Sequence, residues 1–189
     1  MNQSTRELIV ERADELFYQQ GFEHTSFAHI AKEVNISRGN FYHHFKSKDQ
    51  ILDAVIDLRL ANTQSMLDEW ELEGETPDAR IRCFIQILIR NMAKITLYGC
   101  PVGTLTTELA KLNHVALGRA NEVFTLFRGW LTQQFEAQGC GDQSDELAMH
   151  LLARSQGIAT LASAFQDESF IHDEVKTLNQ WLEQQLSNS

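Results

Sequence analysis

The chain is poor in the residues that interrupt helices or cross-link segments. Proline occurs only twice in 189 residues, at Pro77 and Pro101, so long uninterrupted helices are permitted and a many-turned β protein is not expected. The three cysteines (Cys83, Cys100 and Cys140) are an odd number without metal-ligand spacing, which indicates reduced thiols in a cytoplasm. No apolar run approaches the ~18 residues of a membrane-spanning helix. The first residues carry charges between their apolar positions, so we expect no secretory signal.

Positive charge is also scarce, but its distribution is uneven. The chain has 16 Lys and Arg against 26 Asp and Glu, a formal net charge of −10, which argues against a protein that coats nucleic acid without specificity. Residues 24–48 nevertheless have a charge of +3 and contain four of the seven histidines, whereas residues 61–189 have a charge of −8. This distribution predicts one face for phosphates on an otherwise acidic protein.

The apolar residues follow a helical period throughout, and no segment alternates like a strand. We therefore predict an all-α fold of nine helices in two domains: residues 1–50, and residues 51–189, with a fourth helix over about 48–72 that links them. A capping box of Ser4 and Glu7 opens the first helix, and Gly21 follows its end. The other helices are expected to begin at Thr25 or Ser26, Ser37, Ser47, Pro77, Thr104, about Val115, Asp142 and Ser169.

The segment from Thr25 to Lys48 is the most informative part of the sequence. It is predicted as a helix, a break at Asn35-Ile36, and a second helix of about two turns, which is the plan of a helix-turn-helix. Ser37 and Arg38 lie at the N-terminal end of the short helix, where free backbone N–H groups attract phosphate. Arg38 can bind guanine bidentately and Asn40 can bind adenine. The remaining candidates are Gly39 for close backbone approach, and Tyr42 and Lys48 for phosphate contacts; Phe41 and Phe45 are expected in the core.

The run SRGNFYHHFKSK, from Ser37 to Lys48, closely resembles the signature of the tetracycline-repressor (TetR) family of bacterial transcriptional regulators. Gly21-Phe22, Thr25-Ser26 and Ile30-Ala31 also match, so the resemblance in sequence covers about residues 6–56, and beyond them it concerns only the layout of helices. Asn40 and Phe41 depart from the family pattern, which most often has Thr or Ser followed by Leu or Ile, so no operator sequence can be taken from a relative. The resemblance implies that Thr25 or Ser26 binds phosphate, that Arg38, Gly39, Asn40 and His43 face base edges, and that Tyr42, His44 and Lys48 clamp the DNA backbone.

The resemblance also implies a C-terminal body that binds an unknown small effector and dimerises through its last two helices. The sequence supports a dimer independently, because residues 153–164 are rich in small side chains and the last helix has a stripe of Ile171, Val175, Leu178, Leu182 and Leu186. The alternative is that both helices pack within one chain. The apolar residues predicted to line an effector pocket are Phe84, Leu88, Met92, Cys100, Phe124, Phe127 and Trp130, each of which is also explained as ordinary core. Thr106, Thr107, Glu108 and Asn121 are candidate polar contacts.

The function predicted from these patterns is a DNA-binding transcriptional regulator, a repressor released from a near-palindromic operator by a small hydrophobic or reactive effector. A redox- or electrophile-sensing regulator that acts through Cys100 is the alternative, because a thiol beside a helix break can be partly exposed. An enzyme is not expected, since the sequence has no nucleophile elbow, P-loop, dinucleotide glycine pattern or His-Glu metal motif. We predict no catalytic residue, metal or cofactor. A helical adaptor that does not bind DNA is disfavoured by the basic window at residues 24–48.

Overall fold

The protein is built from helices joined by short turns. The computed structural model describes residues 4–187, and within that range it has no β-strand, which confirms the all-α class. A 3-10 turn lies at Gly141–Gln143. The α-helices are α1 (Thr5–Gln20), α2 (Phe27–Glu33), α3 (Arg38–His44), α4 (Lys48–Glu73), α5 (Pro77–Arg90), α6 (Met92–Tyr98), α7 (Pro101–Lys111), α8 (Leu117–Ala137), α9 (Ser144–Phe165) and α10 (Glu168–Ser187).

All nine predicted helical segments are present, and one of them is divided into two helices. The segment that begins at Pro77 is interrupted at Asn91, which separates α5 from α6. The side-chain amide of Asn91 donates a hydrogen bond to the carbonyl of Ile87 (3.0 Å), and such competition for backbone groups disfavours a regular helix interior. The helix predicted from Thr104 begins at Pro101 instead, because proline is favoured in the first turn, where its missing N–H needs no partner.

The ends of α1 show why the sequence starts and stops a helix there. The Ser4 N–H donates to the Glu7 carboxylate (2.8 Å) and the Glu7 N–H donates to the Ser4 hydroxyl (3.2 Å), which confirms the predicted capping box. These hydrogen bonds lower the pKa of Glu7, with the bond from the Ser4 N–H as the largest cause. At the other end Gly21 has φ +91°, a conformation that L side chains rarely adopt, so glycine ends the helix.

The described residues fall into two compact units, and the first contains the helix-turn-helix. It comprises the described part of Met1–Asn62 together with Thr104–Val123. The apolar cluster formed by the inner faces of α1–α4 also includes Leu105 and Leu109 of α7, Ala116 just before α8, and Ala120 in the first turn of α8. The functional division at residue 50 stays a prediction, and residues 1–3 and 188–189 of the predicted domains lie outside the described residues.

An ion pair joins α1 to α4 within this first unit. The Arg59 Nε donates to an Asp14 carboxylate oxygen at 2.6 Å, and the Arg59 side chain is only 9% exposed. Removal of the carboxylate that pairs with such a deeply placed guanidinium group strongly destabilises the folded protein. The contact therefore fixes the middle of α1 against the middle of α4.

The second unit comprises Thr63–Gly103 and the described part of Phe124–Ser189. In it α10 packs against α5 and α9, and α6 packs against α9. Four residues of the predicted α10 stripe are buried within the chain itself: Ile171, Val175, Leu178 and Leu182. The intramolecular alternative therefore holds for this stripe, because α5 and α9 already cover it. Among the helices of residues 4–187, none has the length and apolar character needed to cross a membrane.

Candidate nucleic-acid interface

The helix-turn-helix predicted from the sequence is formed by α2 and α3. The Ser26 hydroxyl accepts a hydrogen bond from the His29 N–H (3.2 Å), and the Ser37 hydroxyl accepts one from the Asn40 N–H (3.2 Å), so both serines are N-caps. Between the helices, Asn35 has φ 56°, a left-handed conformation that asparagine tolerates better than most residues. The turn and the two caps fix where each helix begins.

One face of α3 is buried and the other is exposed. Phe41 is 1% exposed and Phe45, which follows the helix, is 2% exposed, which confirms both as core residues. Opposite them lie the exposed residues Ser37, Arg38, Gly39, Asn40, Tyr42 and His43. In the part of the chain that the structure describes, the side chains of Arg38 and Asn40 have no hydrogen-bond partner. These donors and acceptors are therefore accessible to a ligand.

The position of Tyr42 is set by aromatic contacts with α2. Its ring meets the edge of the Phe27 ring (centroids 5.5 Å apart), and Phe27 in turn packs against Phe41 (5.1 Å). Tyr42 is still 48% exposed. A ring that packs against α2 and is half-exposed is suited to a phosphate oxygen, and the phosphate contact of Tyr42 stays a prediction.

Gly39 has no structural role within the protein that requires glycine. A Cβ atom built at this position meets nothing within 4 Å, and its φ is not in the left-handed region. Any requirement for glycine here must therefore come from a molecule outside the described chain.

The structure distinguishes between Thr25 and Ser26, the two candidates for a phosphate contact at the start of α2. Thr25 is only 1% exposed; its hydroxyl donates to the Gly21 carbonyl (2.7 Å) and accepts from the Gln20 amide (3.1 Å). The prediction of a phosphate contact by Thr25 is corrected, because its hydroxyl is buried and engaged within the loop. Ser26 is exposed and remains the candidate.

Lys48 also has partners inside the first unit. Its ammonium donates to the carbonyl oxygens of Phe22 (3.0 Å) and Glu23 (3.3 Å), and it lies 4.2 Å from the centroid of the Phe22 ring. The phosphate contact of Lys48 was predicted from its position in the sequence, which does not reveal these carbonyl partners.

Of the two adjacent histidines, His43 is exposed and His44 is half-buried, with ring centroids 5.4 Å apart.

The residues predicted to line an effector pocket are only partly brought together in the second unit. Phe84 and Phe127 are buried with ring centroids 5.5 Å apart, and Leu88 and Trp130 are buried as well. The other three, Met92, Cys100 and Phe124, are half-buried. A pocket lined by these seven residues stays a prediction. The suggestion that Glu108 is a polar contact of that pocket is corrected, since its carboxylate accepts hydrogen bonds from the Phe22 N–H (2.8 Å) and Glu23 N–H (2.9 Å) in the first unit.

A polar cluster beside the predicted pocket residues was not found from the sequence. The Glu71 carboxylate accepts hydrogen bonds from Trp130 Nε1 (2.8 Å) and Gln134 Nε2 (2.7 Å) and forms an ion pair with Arg80 (2.8 Å). The neighbouring Trp70 is 1% exposed, and its indole N–H is buried without a hydrogen-bond partner among the described residues. A glutamate at the end of a long, charged helix gives no sequence signal for such a cluster.

Cys100 lies immediately before α7, and its sulfur accepts a hydrogen bond from the Gly103 N–H (3.5 Å). Within residues 4–187 none of the three cysteines is in a disulfide. Burial raises the pKa of the Cys83 thiol, and the charge of Glu73 raises it further, which disfavours the reactive thiolate form of Cys83.

Within residues 4–187, no group of three or more His, Cys, Asp or Glu is arranged to hold a metal ion.

Comparisons with known proteins agree with this geometry. The model of the tetR family of bacterial regulatory proteins matches residues 9–55, which include α2, the turn and α3. The helix-turn-helix of this chain is that of the TetR family. An uncharacterised helix-turn-helix transcriptional regulator from the lacX 3′ region of Lactococcus lactis is 29% identical over 168 residues, 87% of this chain and 86% of that protein. The chain is thus a helix-turn-helix transcriptional regulator.

Two further comparisons extend over most of the chain. The helix-turn-helix transcriptional repressor DhaR of a Mycobacterium species is 24% identical over 153 residues, 78% of this chain and 74% of that protein. A crystal structure of a TetR transcriptional regulator from Legionella pneumophila superposes with a TM-score of 0.85 at 25% identity, covering 95% of this chain and 98% of that one. The likeness therefore includes the helices beyond the matched family model.

Proposed function

We propose that this TetR-family regulator is a repressor that reads base pairs with α3. The proposal rests on the exposed side chains of Arg38 and Asn40. Both lack hydrogen-bond partners in the described residues, and Phe41 anchors the helix in the core. Arg38 pairs with guanine and Asn40 with adenine in the major groove. An arginine and an asparagine exposed together on a core-anchored helix are the donors that such readout requires.

Phosphate contacts orient the helix in the groove and carry no sequence information. We assign the phosphate contacts to the N-cap hydroxyls of Ser26 and Ser37 and to Tyr42. Gly39 and His43 are placed beside the base edges, and His44 is placed at the edge of the interface. The short helix enters the groove N-terminus first, so the backbone N–H groups at its start add to phosphate binding. The positive charge of residues 24–48 favours this face over the acidic remainder.

We further propose that the regulator is a homodimer joined through α9 and α10 of two copies. TetR-family regulators usually form homodimers. The exposed surface of α9 carries the apolar residues Met149, Leu161 and Phe165. A groove of about 460 Å³ beside it is lined by Ala153, Gly157, Ile158, Leu161 and Phe170, and by the polar residues His150, Arg154 and Glu174. A second copy buries this surface by a twofold contact, and two α3 helices then read a near-palindromic operator.

The effector is proposed to be a small, largely apolar molecule that binds in the second unit and favours the state that does not bind DNA. Phe84, Phe127 and Trp130 supply the apolar contacts. The indole N–H of Trp70, which has no hydrogen-bond partner among the described residues, favours an effector that carries a hydrogen-bond acceptor. We place the regulator in the cytoplasm and assign it no enzymatic activity.

A second candidate is regulation by oxidation or alkylation of Cys100. The observation that favours it is the position of the thiol at the N-terminus of α7, where the sulfur accepts the Gly103 N–H. Helix N-termini stabilise negative charge on a cysteine sulfur. Loss of operator binding after treatment with an electrophile, in the wild type but not in Cys100→Ser, would favour this mechanism.

The proposed division between base readout and phosphate contact is tested by two substitutions. Fluorescence anisotropy is measured with a duplex selected from random DNA by the wild type and with a scrambled duplex of equal length. Arg38→Ala is expected to lose ~1–3 kcal/mol on the selected duplex and to reduce the preference for it. Tyr42→Ala is expected to weaken binding to both duplexes by the same factor.

Arg90→Ala is the matched control, since it removes one exposed positive charge from α5 in the second unit. It is expected to leave the preference between the two duplexes unchanged. Equal losses on both duplexes for Arg38→Ala would contradict base readout by this residue.

A further inference from the structure

The loop between α1 and α2 is held from two sides by opposite charges. The backbone N–H groups of Phe22 and Glu23 donate to the two carboxylate oxygens of Glu108 at 2.8 and 2.9 Å. The carbonyl oxygens of the same two residues accept hydrogen bonds from the Lys48 ammonium at 3.0 and 3.3 Å. We call these four hydrogen bonds the loop clamp. It connects α7 and the start of α4 through the backbone of Phe22 and Glu23.

Elementary electrostatics favours this arrangement. The peptide group between Phe22 and Glu23 has its C=O toward the Lys48 ammonium and its N–H toward the Glu108 carboxylate, so both ends of its dipole are stabilised by charge-assisted hydrogen bonds. The Phe22 ring completes the contact: the Lys48 ammonium lies 4.2 Å from its centroid, and the His114 ring meets it at 5.2 Å. Glu108 and Lys48 thus fix the orientation of the loop as well as its position.

Gly21 shows how closely the carboxylate approaches the backbone. A Cβ atom at this position would lie 2.9 Å from a Glu108 carboxylate oxygen, and the φ of +91° is itself unfavourable for other residues. Glycine therefore ends α1 and leaves room for the carboxylate at the same point. The Gly21-Phe22 pair singled out in the sequence has a structural partner 86 residues away.

The loop clamp lies directly behind the candidate interface. The loop ends at Ser26, the N-cap of α2 and a proposed phosphate contact, and Lys48 is the first residue of α4, four positions after the last residue of α3. A change in the orientation of Phe22 and Glu23 is therefore transmitted to the first turn of α2. The same unit contains residues 104–123, so Glu108 belongs to the compact body that presents α3.

We propose that Glu108 is a positioning residue for DNA binding, which acts through the Phe22 and Glu23 amides together with Lys48. This inference rests on the proposed function and adds to it a residue outside the helix-turn-helix. It also assigns to Lys48 a role in holding the loop in place of the direct phosphate contact inferred from the sequence. The α7 segment is then a required part of the DNA-binding unit.

The decisive variant is Glu108→Gln, because electrostatics and positioning predict opposite results. Removal of a negative charge from a DNA-binding unit strengthens attraction to phosphates, so a purely electrostatic effect increases affinity. A glutamine amide offers one acceptor oxygen and presents an NH₂ group to the other backbone N–H, so part of the clamp is lost. We expect affinity for the selected duplex to fall roughly tenfold.

The matched control is Glu122→Gln, which removes an exposed glutamate from α8 in the same unit. It is expected to bind the selected duplex as tightly as the wild type or more tightly. Both variants are measured by fluorescence anisotropy at a temperature at which circular dichroism shows them fully folded. In ¹⁵N-labelled protein, Glu108→Gln is expected to shift the amide signals of Phe22, Glu23 and the first turn of α2.

Lys48→Met supplies an independent test that does not depend on the stability of Glu108→Gln. Loss of a direct phosphate contact reduces the slope of log affinity against log salt concentration by about one unit. A positioning role predicts weaker binding with an unchanged slope. A slope reduced by about one would overturn the assignment of Lys48.

The outcomes separate this inference from the proposed function. If the wild type binds the selected duplex and Glu108→Gln binds it equally well or more tightly, the positioning role of Glu108 is overturned and DNA binding stands. If the wild type enriches no duplex at low ionic strength, the proposed function fails, and the positioning role fails with it.

Discussion

Replacement of Gly39 by alanine is expected to stabilise the free protein and to weaken DNA binding. Gly39 is the second residue of α3, and a Cβ at this position meets nothing within 4 Å of the described chain. The methyl group therefore costs nothing in the free protein. Alanine also restricts the unfolded chain more than glycine does, so the free energy of unfolding should rise by about 0.4–1 kcal/mol.

The effect on DNA binding should have the opposite sign, because the proposed binding mode brings α3 close to the groove. A methyl group inserted where no space remains costs typically 1–3 kcal/mol in packed protein interiors. A similar cost at the interface corresponds to a loss of roughly 5- to 150-fold in affinity. Urea unfolding and anisotropy with the selected duplex measure the two quantities on the same sample.

Gly118 provides a matched control. It is the second residue of α8 in the same unit, it is exposed, and a Cβ there also meets nothing within 4 Å. Gly118→Ala should show the same gain in stability with unchanged affinity for DNA. If Gly39→Ala bound the selected duplex as tightly as Gly118→Ala does, close approach of α3 to DNA would be refuted.

Two further predictions concern the second unit. The hydrogen bond from Arg128 (2.7 Å) lowers the pKa of Asp145 in the folded protein. The stabilisation from this bond is therefore present above the unfolded pKa of about 4 and is lost as pH falls through the lower folded pKa. Asp145→Asn should unfold more easily than the wild type at pH 7, and this difference in stability should disappear in acid. A difference that persisted in acid would contradict this ionic origin. Leu161→Glu, which places a charge on the exposed face of α9, should shift sedimentation from dimer to monomer, whereas Leu97→Glu on α6 should not. Equal sedimentation of both variants as dimers would exclude this face.

Local sequence signals predicted most of the helices, because caps and breaks act over a few residues. The capping box at Ser4, the glycine after α1 and the Asn35 turn are each set by neighbouring residues. Asn91 was missed as a break because it interrupts an apolar period that continues on both sides of it. The helix predicted from Thr104 begins at Pro101, because proline also fits a first helical turn.

Contacts between residues far apart in sequence could not be predicted in this way. Nothing near Glu108 indicates that its carboxylate binds amides 85 and 86 residues earlier. Lys48 was given a phosphate contact because it is basic and follows α3, whereas its carbonyl partners come from the α1–α2 loop. Thr25 and Ser26 were equivalent in sequence, and only burial separates them.

The most direct test of sequence reading by α3 is selection of bound duplexes from random DNA, performed in parallel with wild type and Asn40→Ala. The wild type should enrich a near-palindrome whose half-sites are centred about 10–10.5 base pairs apart or a multiple of that distance. Asn40→Ala should lose preference at one position of each half-site while it keeps the spacing. Enrichment of the same sequence by both proteins, or of none by the wild type, would contradict base recognition by this helix.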